Sequence, residues 1–268
     1  MPTVRVGDIN IHYDAHGKGD PLVLLPGYGA DSTCFFRQIP GLAENYRVIA
    51  IDNRGTGLSD KPDTPYTMDM MAKDTAGLLQ SLGIQKAHFY GHSMGGLIAQ
   101  HLALYYPERT VSLILACTNC GVSQRVRADQ AAIDAMFDPK GTPEERAMRL
   151  LPFVHSQEFI SNNMDVIQQF GLLYLKNYPP PHVFKRQQEA MNMLDTYDRL
   201  PEIRVPTLVI TGEADQMVPP ENSRILASRI PGAESITLQG LGHFLPMEVP
   251  EALNNAIHDF LKRHPIAA

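Results

Sequence analysis

The stretch Gly91-His92-Ser93-Met94-Gly95-Gly96 places a serine between glycines where two kinds of segment meet. A β-prone run, residues 87–90, precedes it, and a helix-prone run begins at residue 97. Strand, sharp turn and helix in this order present the serine side chain on a strained backbone, and flanking glycines leave room for the turn. The N-terminus of the following helix favours an anion formed beside the serine. The pattern predicts Ser93 as a nucleophile.

Strands and helices alternate on both sides of this stretch. Apolar runs predict strands over residues 22–25, 46–52, 87–90, 111–116, 207–210 and 235–238. Helical spacing predicts helices over residues 66–82, 97–106, 220–230 and 250–261. Residues 4–6 and 9–13 alternate apolar with polar, as in an antiparallel hairpin at a sheet edge. The fold class expected is α/β, with a mostly parallel sheet flanked by helices.

The alternation stops between residues 122 and 200. This segment shows no convincing strand and several short helical stretches separated by prolines, and the alternation then resumes. We therefore expect a core formed by residues 1–121 and 201–268, with residues 122–200 inserted as a helical cap between the sixth and seventh strands.

Composition narrows the range of partners. The chain has 268 residues, a net charge of −6 and three cysteines, Cys34, Cys117 and Cys120. The acidic balance and the lack of a basic run with aromatics argue against nucleic acid, and no apolar run is long enough for a membrane span. An odd cysteine count makes no disulfide framework, and the N-terminus lacks signal-peptide character, so a cytoplasmic location is expected. A homo-oligomer stays possible.

A serine hydroxyl needs a base to activate it, and that base needs an acid to orient it. Asp215 follows the strand predicted over residues 207–210, and His243 lies in a glycine-flanked loop after the last strand. Both residues and Ser93 therefore fall at carboxyl ends of strands, where open α/β sheets place their ligands. Ser93, Asp215 and His243 form the predicted catalytic set.

Each partner has a competitor in the sequence. Asp215 could instead cap the helix that follows, and Glu213 is the nearest alternative acid. Nine other histidines compete with His243. Those flanking the nucleophile, His88 and His92, are expected to point elsewhere, and His258 and His264 are expected at the surface.

The negative oxygen formed during acyl transfer needs two backbone N–H donors. The first is expected from Met94, directly after the nucleophile. The second is expected from Tyr28, in the loop Pro26-Gly27-Tyr28-Gly29, where glycines permit a close backbone approach.

The chain resembles the α/β-hydrolase superfamily over essentially its whole length, in the group with a helical cap. The resemblance rests on five stretches: Leu24-Leu25-Pro26-Gly27-Tyr28-Gly29, Asp52-Asn53-Arg54-Gly55-Thr56-Gly57-Leu58-Ser59, residues 91–96, Gly212-Glu213-Ala214-Asp215-Gln216-Met217-Val218-Pro219, and Gly242-His243-Phe244. The second stretch is a structural turn near the oxyanion loop in this superfamily. Many relatives have histidine where this chain has Pro26, a change that leaves the backbone donors in place.

Serine at the nucleophile position argues against haloalkane dehalogenases and epoxide hydrolases, which resemble this fold but use aspartate there. The resemblance leaves carboxylesterases, enol-lactonases of the oxoadipate type, carbon–carbon bond hydrolases of ring-cleavage products and cofactor-free haloperoxidase-like esterases. A ligand receptor built on the same fold is the non-enzyme alternative, and turnover distinguishes it from an enzyme.

No cofactor or metal is expected. The stretch Cys117-Thr118-Asn119-Cys120 lacks the second ligand pair of a zinc site, and no glycine-rich phosphate loop is present. We interpret the two cysteines as small residues at a strand end.

The expected partner is a small-molecule ester or lactone, and we favour a small to medium, mostly neutral ester. A buried substrate carboxylate without a cationic partner would be heavily penalised by desolvation, and the basic residues of the cap are matched by nearby acids. Arg125, Arg127 or Arg149 would reverse this expectation if one of them pointed into the pocket.

Overall fold

An eight-stranded sheet runs through the computed structural model, which describes residues 2–266. The strands are β1 (Thr3–Val6), β2 (Ile9–His16), β3 (Pro21–Leu25), β4 (Arg47–Ile51), β5 (Ala87–His92), β6 (Thr110–Ala116), β7 (Thr207–Gly212) and β8 (Glu234–Leu238). Their order across the sheet is β1-β2-β4-β3-β5-β6-β7-β8. β2 runs antiparallel to both β1 and β4, and the remaining neighbours are parallel. The predicted sheet is confirmed.

Helices flank the sheet and form the inserted segment. Within residues 2–266 the α-helices are α1 (Ile39–Leu42), α2 (Met68–Ser81), α3 (Met94–Tyr105), α4 (Gln130–Phe137), α5 (Pro143–Val154), α6 (Gln157–Asn162), α7 (Met164–Lys176), α8 (Pro181–Met193), α9 (Glu221–Arg229), α10 (Leu245–Glu248) and α11 (Pro250–Leu261). Short 3-10 helices cover Ser32–Phe35, Pro107–Arg109 and Tyr197–Glu202. Helices α4 to α8, called the cap below, all lie between β6 and β7. None of the helices in the described part has the length and apolar character needed to cross a membrane.

The sheet is covered on both faces, which explains the continuous apolar runs in its strands. In β3, Leu22 and Leu24 belong to the cluster on the α11 face, and Val23 and Leu25 belong to the cluster on the α2 and α3 face. All four side chains are fully buried. Complete burial of one such side chain is worth about 1.5–3 kcal/mol. Central strands of this composition hold the strand ends, and the loops that follow them, in a fixed arrangement.

Some helix boundaries differ from those predicted. α3 begins at Met94, directly after Ser93 and three residues earlier than predicted. The glycines at 95 and 96 have low helix propensity, so the first turn of the helix gave no helical signal in the sequence. α2 begins at Met68, since the Thr67 hydroxyl accepts a hydrogen bond from the Met70 N–H at 3.0 Å and caps the helix. The short helices α1 and α10 carry too few turns to produce a periodic pattern.

Candidate active site

Ser93 occupies the turn between β5 and α3 with a strained backbone, φ 54° and ψ −119°. A Cβ added at Gly91 would lie 2.3 Å from the carbonyl oxygen of Gly95, and one added at Gly95 would lie 2.0 Å from that of Leu25. Both glycines are therefore sterically required. The Thr118 hydroxyl donates to the Ser93 carbonyl at 2.7 Å and braces the turn from the end of β6.

Asp215 and His243 form a hydrogen-bonded pair beyond the ends of β7 and β8. The His243 Nδ1 lies 2.8 Å from Asp215 Oδ2, and both residues are buried. The other carboxylate oxygen accepts backbone N–H groups from Met217 at 2.9 Å and Val218 at 2.8 Å. Since the carboxylate only accepts, the pairing assigns the proton to Nδ1 and leaves Nε2 free to take a proton.

His92 joins the nucleophile turn to the histidine loop, a contact that the sequence did not predict. Its Nε2 lies 2.9 Å from the carbonyl oxygen of His243, and the two rings are 5.0 Å apart between centroids. Burial, reinforced by the neighbouring His243, lowers the pKa of His92 to about 3. His92 is therefore neutral, and its Nε2–H donates to the His243 carbonyl. This hydrogen bond fixes the His243 backbone next to the nucleophile turn.

The competing residues take other positions. Glu213 is exposed and accepts from the Gly240 N–H at 3.1 Å, away from the histidine ring. Asp215 does not cap α9, whose N-cap residue is Pro220. His88 is buried against the Ser112 hydroxyl at 2.8 Å, and burial lowers its pKa to about 4. His258, expected at the surface, is half-buried and lies 3.0 Å from the hydroxyl of Tyr46, and His264 is half-buried too.

The loop after β3 approaches the nucleophile closely. A Cβ added at Gly27 would lie 3.2 Å from the Ser93 Cβ. Within residues 2–266, the backbone N–H groups of Tyr28 and Met94 donate to no other protein group, so both are available to a ligand. The Gly29 N–H donates to Gln187 Oε1 of α8 at 2.8 Å, which ties this loop to the cap.

The turn over residues 52–59 supports that loop and takes no part in the site itself. Asn53 Nδ2 donates to the Pro26 carbonyl at 3.2 Å. The Asp52 carboxylate accepts the Ser32 and Leu58 N–H groups, both at 2.8 Å, and lies 2.7 Å from His12 Nδ1. The hydrogen bond from His12 holds the pKa of Asp52 below its usual value, although burial opposes it. The turn therefore supports the loop over residues 26–29, which is predicted to hold an oxyanion donor.

One group of side chains has the composition of a metal site. Candidate ligand atoms of His92, Cys117 and His243 lie within 4.8 Å of one another. Burial, together with the neighbouring Asp215, raises the pKa of the Cys117 thiol well above its usual value. A metal requires the thiolate. The cluster therefore fits hydrogen bonding inside the site better than metal binding. Cys34, Cys117 and Cys120 are all buried free thiols.

A cavity of about 280 Å³ opens at Ser93 under the cap. Its walls are mostly apolar, including Leu97, Ile133, Met136, Phe137, Met191 and Met217. Arg125 and Arg127 also line it, whereas Arg149 does not; Arg149 instead pairs with Asp138 at 3.6 Å. Two of the three arginines named as able to reverse the expected neutral substrate therefore line the cavity. The sequence named these residues but could not place them, because the connector that carries them has no periodic pattern.

Two further contacts fix the cap against the histidine loop. The Phe244 N–H donates to the Val154 carbonyl of α5 at 2.8 Å. The buried Glu248 carboxylate accepts from the Ser156 N–H at 3.0 Å and from its hydroxyl at 2.6 Å. Ser156 is also the N-cap of α6, so one core carboxylate anchors the start of a cap helix.

The model of the alpha/beta hydrolase fold family matches residues 20–250. The chain belongs to this family. It is 30% identical over 266 residues to the proposed carbamate hydrolase RutD of Azorhizobium caulinodans, covering 97% of this chain and 98% of that one.

Solved structures of this family share the whole architecture. A thermophilic esterase from Thermogutta terrifontis, solved with malate bound, superposes with a TM-score of 0.87 at 30% identity, covering 99% of this chain and 100% of that one. The enol-lactonase from Burkholderia xenovorans gives 0.85 at 27% identity, covering 97% and 100%. These relatives make the chain a hydrolase of the α/β-hydrolase family, and they differ in substrate.

Proposed function

We propose that the chain is a serine hydrolase that cleaves carboxylic esters through an acyl-enzyme intermediate. One observation carries this proposal: a serine on a strained turn lies at the same edge of the sheet as a buried His243–Asp215 pair bonded at 2.8 Å. The N–H groups of Tyr28 and Met94, which donate to no other protein group within residues 2–266, add support.

Each residue has a role in the proposed reaction. Ser93 Oγ attacks the ester carbonyl carbon while His243 Nε2 takes the hydroxyl proton, and Asp215 holds the imidazole in the required tautomer. The Tyr28 and Met94 N–H groups hold the oxygen that becomes negative. His243 then returns the proton to the leaving alcohol, and water repeats the sequence to release the acid.

The test is hydrolysis of 4-nitrophenyl esters by the purified protein and by Ser93→Ala. We expect turnover by the parent and a loss of at least about 10³-fold in the variant, which removes the nucleophile. Glu213→Gln is the matched control and should keep full activity, since Glu213 does not touch His243. Parent-like activity in Ser93→Ala would refute the assignment. A parent that binds ligand but completes only a few cycles would instead favour the receptor alternative.

A second candidate, a lactonase, is favoured by the two arginines of the cavity wall. The same nucleophile opens a lactone by the same steps, with the leaving alcohol kept on the acyl group. The expected substrate is therefore a small-molecule ester or lactone. The sequence favoured a neutral substrate because no unpaired arginine was evident in the cap, and this reason no longer holds once Arg125 and Arg127 line the cavity.

A further inference from the structure

A half-buried arginine, Arg125, and an exposed one, Arg127, are among the residues that line a mostly apolar cavity. Arg125 and Arg127 come from the connector between β6 and α4, and Ser93 lines the same cavity. A volume of about 280 Å³ lies at the small end of ligand pockets, which commonly span ~300–1,000 Å³. Ser93 and both arginines line this one cavity, so a ligand that spans it can contact the serine at one end and an arginine at the other.

The backbone between the two arginines is held in place by a core residue. Asn222 of α9 is 1% exposed, and its Oδ1 accepts the Val126 N–H at 2.9 Å. Its Nδ2 donates to the Val126 carbonyl, also at 2.9 Å. Both peptide groups of the residue between the arginines are thus fixed by one buried amide, so the wall is a built feature of the fold.

The charge on this wall is not neutralised within the described residues, 2–266. Arg125 contacts a neutral amide, Asn192 Oδ1, at 3.5 Å, and neither arginine forms an ion pair with a carboxylate. Burial and the neighbouring charge of Arg127 lower the pKa of Arg125. By contrast, Arg186 of the cap forms an ion pair with the Asp63 carboxylate at 3.0 Å. Two like charges beside an apolar cavity would be stabilised by a bound anion.

We propose that Arg125 and Arg127 form a subsite for a carboxylate of the substrate, remote from the carbonyl that Ser93 attacks. This proposal rests on the serine hydrolase function proposed above. Guanidinium groups bind carboxylates through paired hydrogen bonds, and the apolar walls suit the carbon chain between the two ends. The substrate class is then a half-ester of a short dicarboxylic acid, or a lactone that carries a carboxylate.

The test compares 4-nitrophenyl hydrogen adipate with its methyl ester, which has the same chain without the charge. We expect the parent to prefer the anion. Replacing both arginines by glutamine should lower the ratio of kcat/KM values, anion over methyl ester, by roughly 10- to 100-fold, the range for one charged hydrogen bond. The methyl ester is the reference substrate, so the ratio cancels any general effect of the two replacements on the cavity. Lysine at both positions should restore part of the ratio, because the charge returns without the planar fork.

Arg224→Gln is the matched control, because Arg224 is exposed and pairs with Glu221 on α9. A ratio that the double glutamine variant leaves unchanged would overturn the proposal. If the parent hydrolyses no ester, the hydrolase proposal fails separately, and calorimetric binding of methyl hydrogen adipate to Ser93→Ala decides the subsite. Binding that is lost with the arginines supports it, and absence of binding refutes it.

Discussion

Replacing Asp215 by asparagine tests the orientation of His243 with almost no change in shape. The carboxylate accepts three hydrogen bonds, from His243 Nδ1 and from the N–H groups of Met217 and Val218. The asparagine oxygen can keep the two backbone donors, but its NH₂ group then faces the imidazole. His243 Nδ1 must then accept a hydrogen bond from that group, so the ring proton moves to Nε2, where the serine proton has to arrive.

The expected loss follows from this tautomer change. The equivalent replacement in a serine protease triad lowers kcat about 10⁴-fold. We expect a fall of about 10³- to 10⁴-fold here, which corresponds to roughly 4–5.5 kcal/mol in the barrier. Loss of the charged hydrogen bond should also destabilise the fold by about 1.5–3 kcal/mol.

The assay is kcat and kcat/KM on a 4-nitrophenyl ester, with urea unfolding followed in parallel. The two kinetic constants should fall together, since the interaction matters most in the transition state. Glu213→Gln changes the neighbouring acid and should alter neither constant. Activity of Asp215→Asn within tenfold of the parent would refute the proposed role of Asp215, and an equal loss in Glu213→Gln would move that role to Glu213.

Three further outcomes are expected. Gly29→Ala should destabilise the protein by about 1–3 kcal/mol more than Gly232→Ala. Both glycines have positive φ, but only at Gly29 would the new Cβ lie 2.5 Å from the Phe184 ring. Equal melting temperatures of the two variants would contradict this prediction. The hydrogen bond to Asp52 raises the pKa of His12 above 6.5 in the folded protein. The stability that this pair contributes is therefore complete below the pKa of His12 in the unfolded chain, and it is lost as pH rises through the pKa of His12 in the folded protein. Urea unfolding from about pH 6 to 9 should show this loss in the parent and not in His12→Gln. EDTA should leave ester hydrolysis unchanged, and activity that zinc restores after EDTA would show that a metal is needed.

The positions of the proposed catalytic residues could be located in the sequence because their signals are local. The turn around Ser93 needs glycine within two residues on either side, and strands buried on both faces appear as continuous apolar runs. Asp215 and His243 could be located because the carboxyl ends of neighbouring parallel strands share one edge of a sheet. In each case a short stretch of chain carries the whole pattern.

The contacts that shape the pocket depend instead on residues far apart in the chain. The Asn222 clamp on Val126 joins positions 96 residues apart, and Gln187 reaches Gly29 across 158 residues. No local pattern marks an asparagine as a clamp, because its amide serves many loops equally well. Arg125 and Arg127 lie on either side of the clamped Val126 and line the cavity, and hydrophobic periodicity does not report this placement.

In the proposed mechanism, these distant contacts couple the cap to the two loops that carry out the reaction. Gln187 of α8 holds the oxyanion loop at Gly29, and Glu248 holds the start of α6 beside the loop that carries His243. The two loops that must keep their geometry during the reaction each bond to the inserted helices. A shift of the cap would therefore move the backbone donors and the general base together. Substrate choice and catalytic rate are thus expected to change together when the cap is altered, because a catalytic geometry tolerates only small displacements.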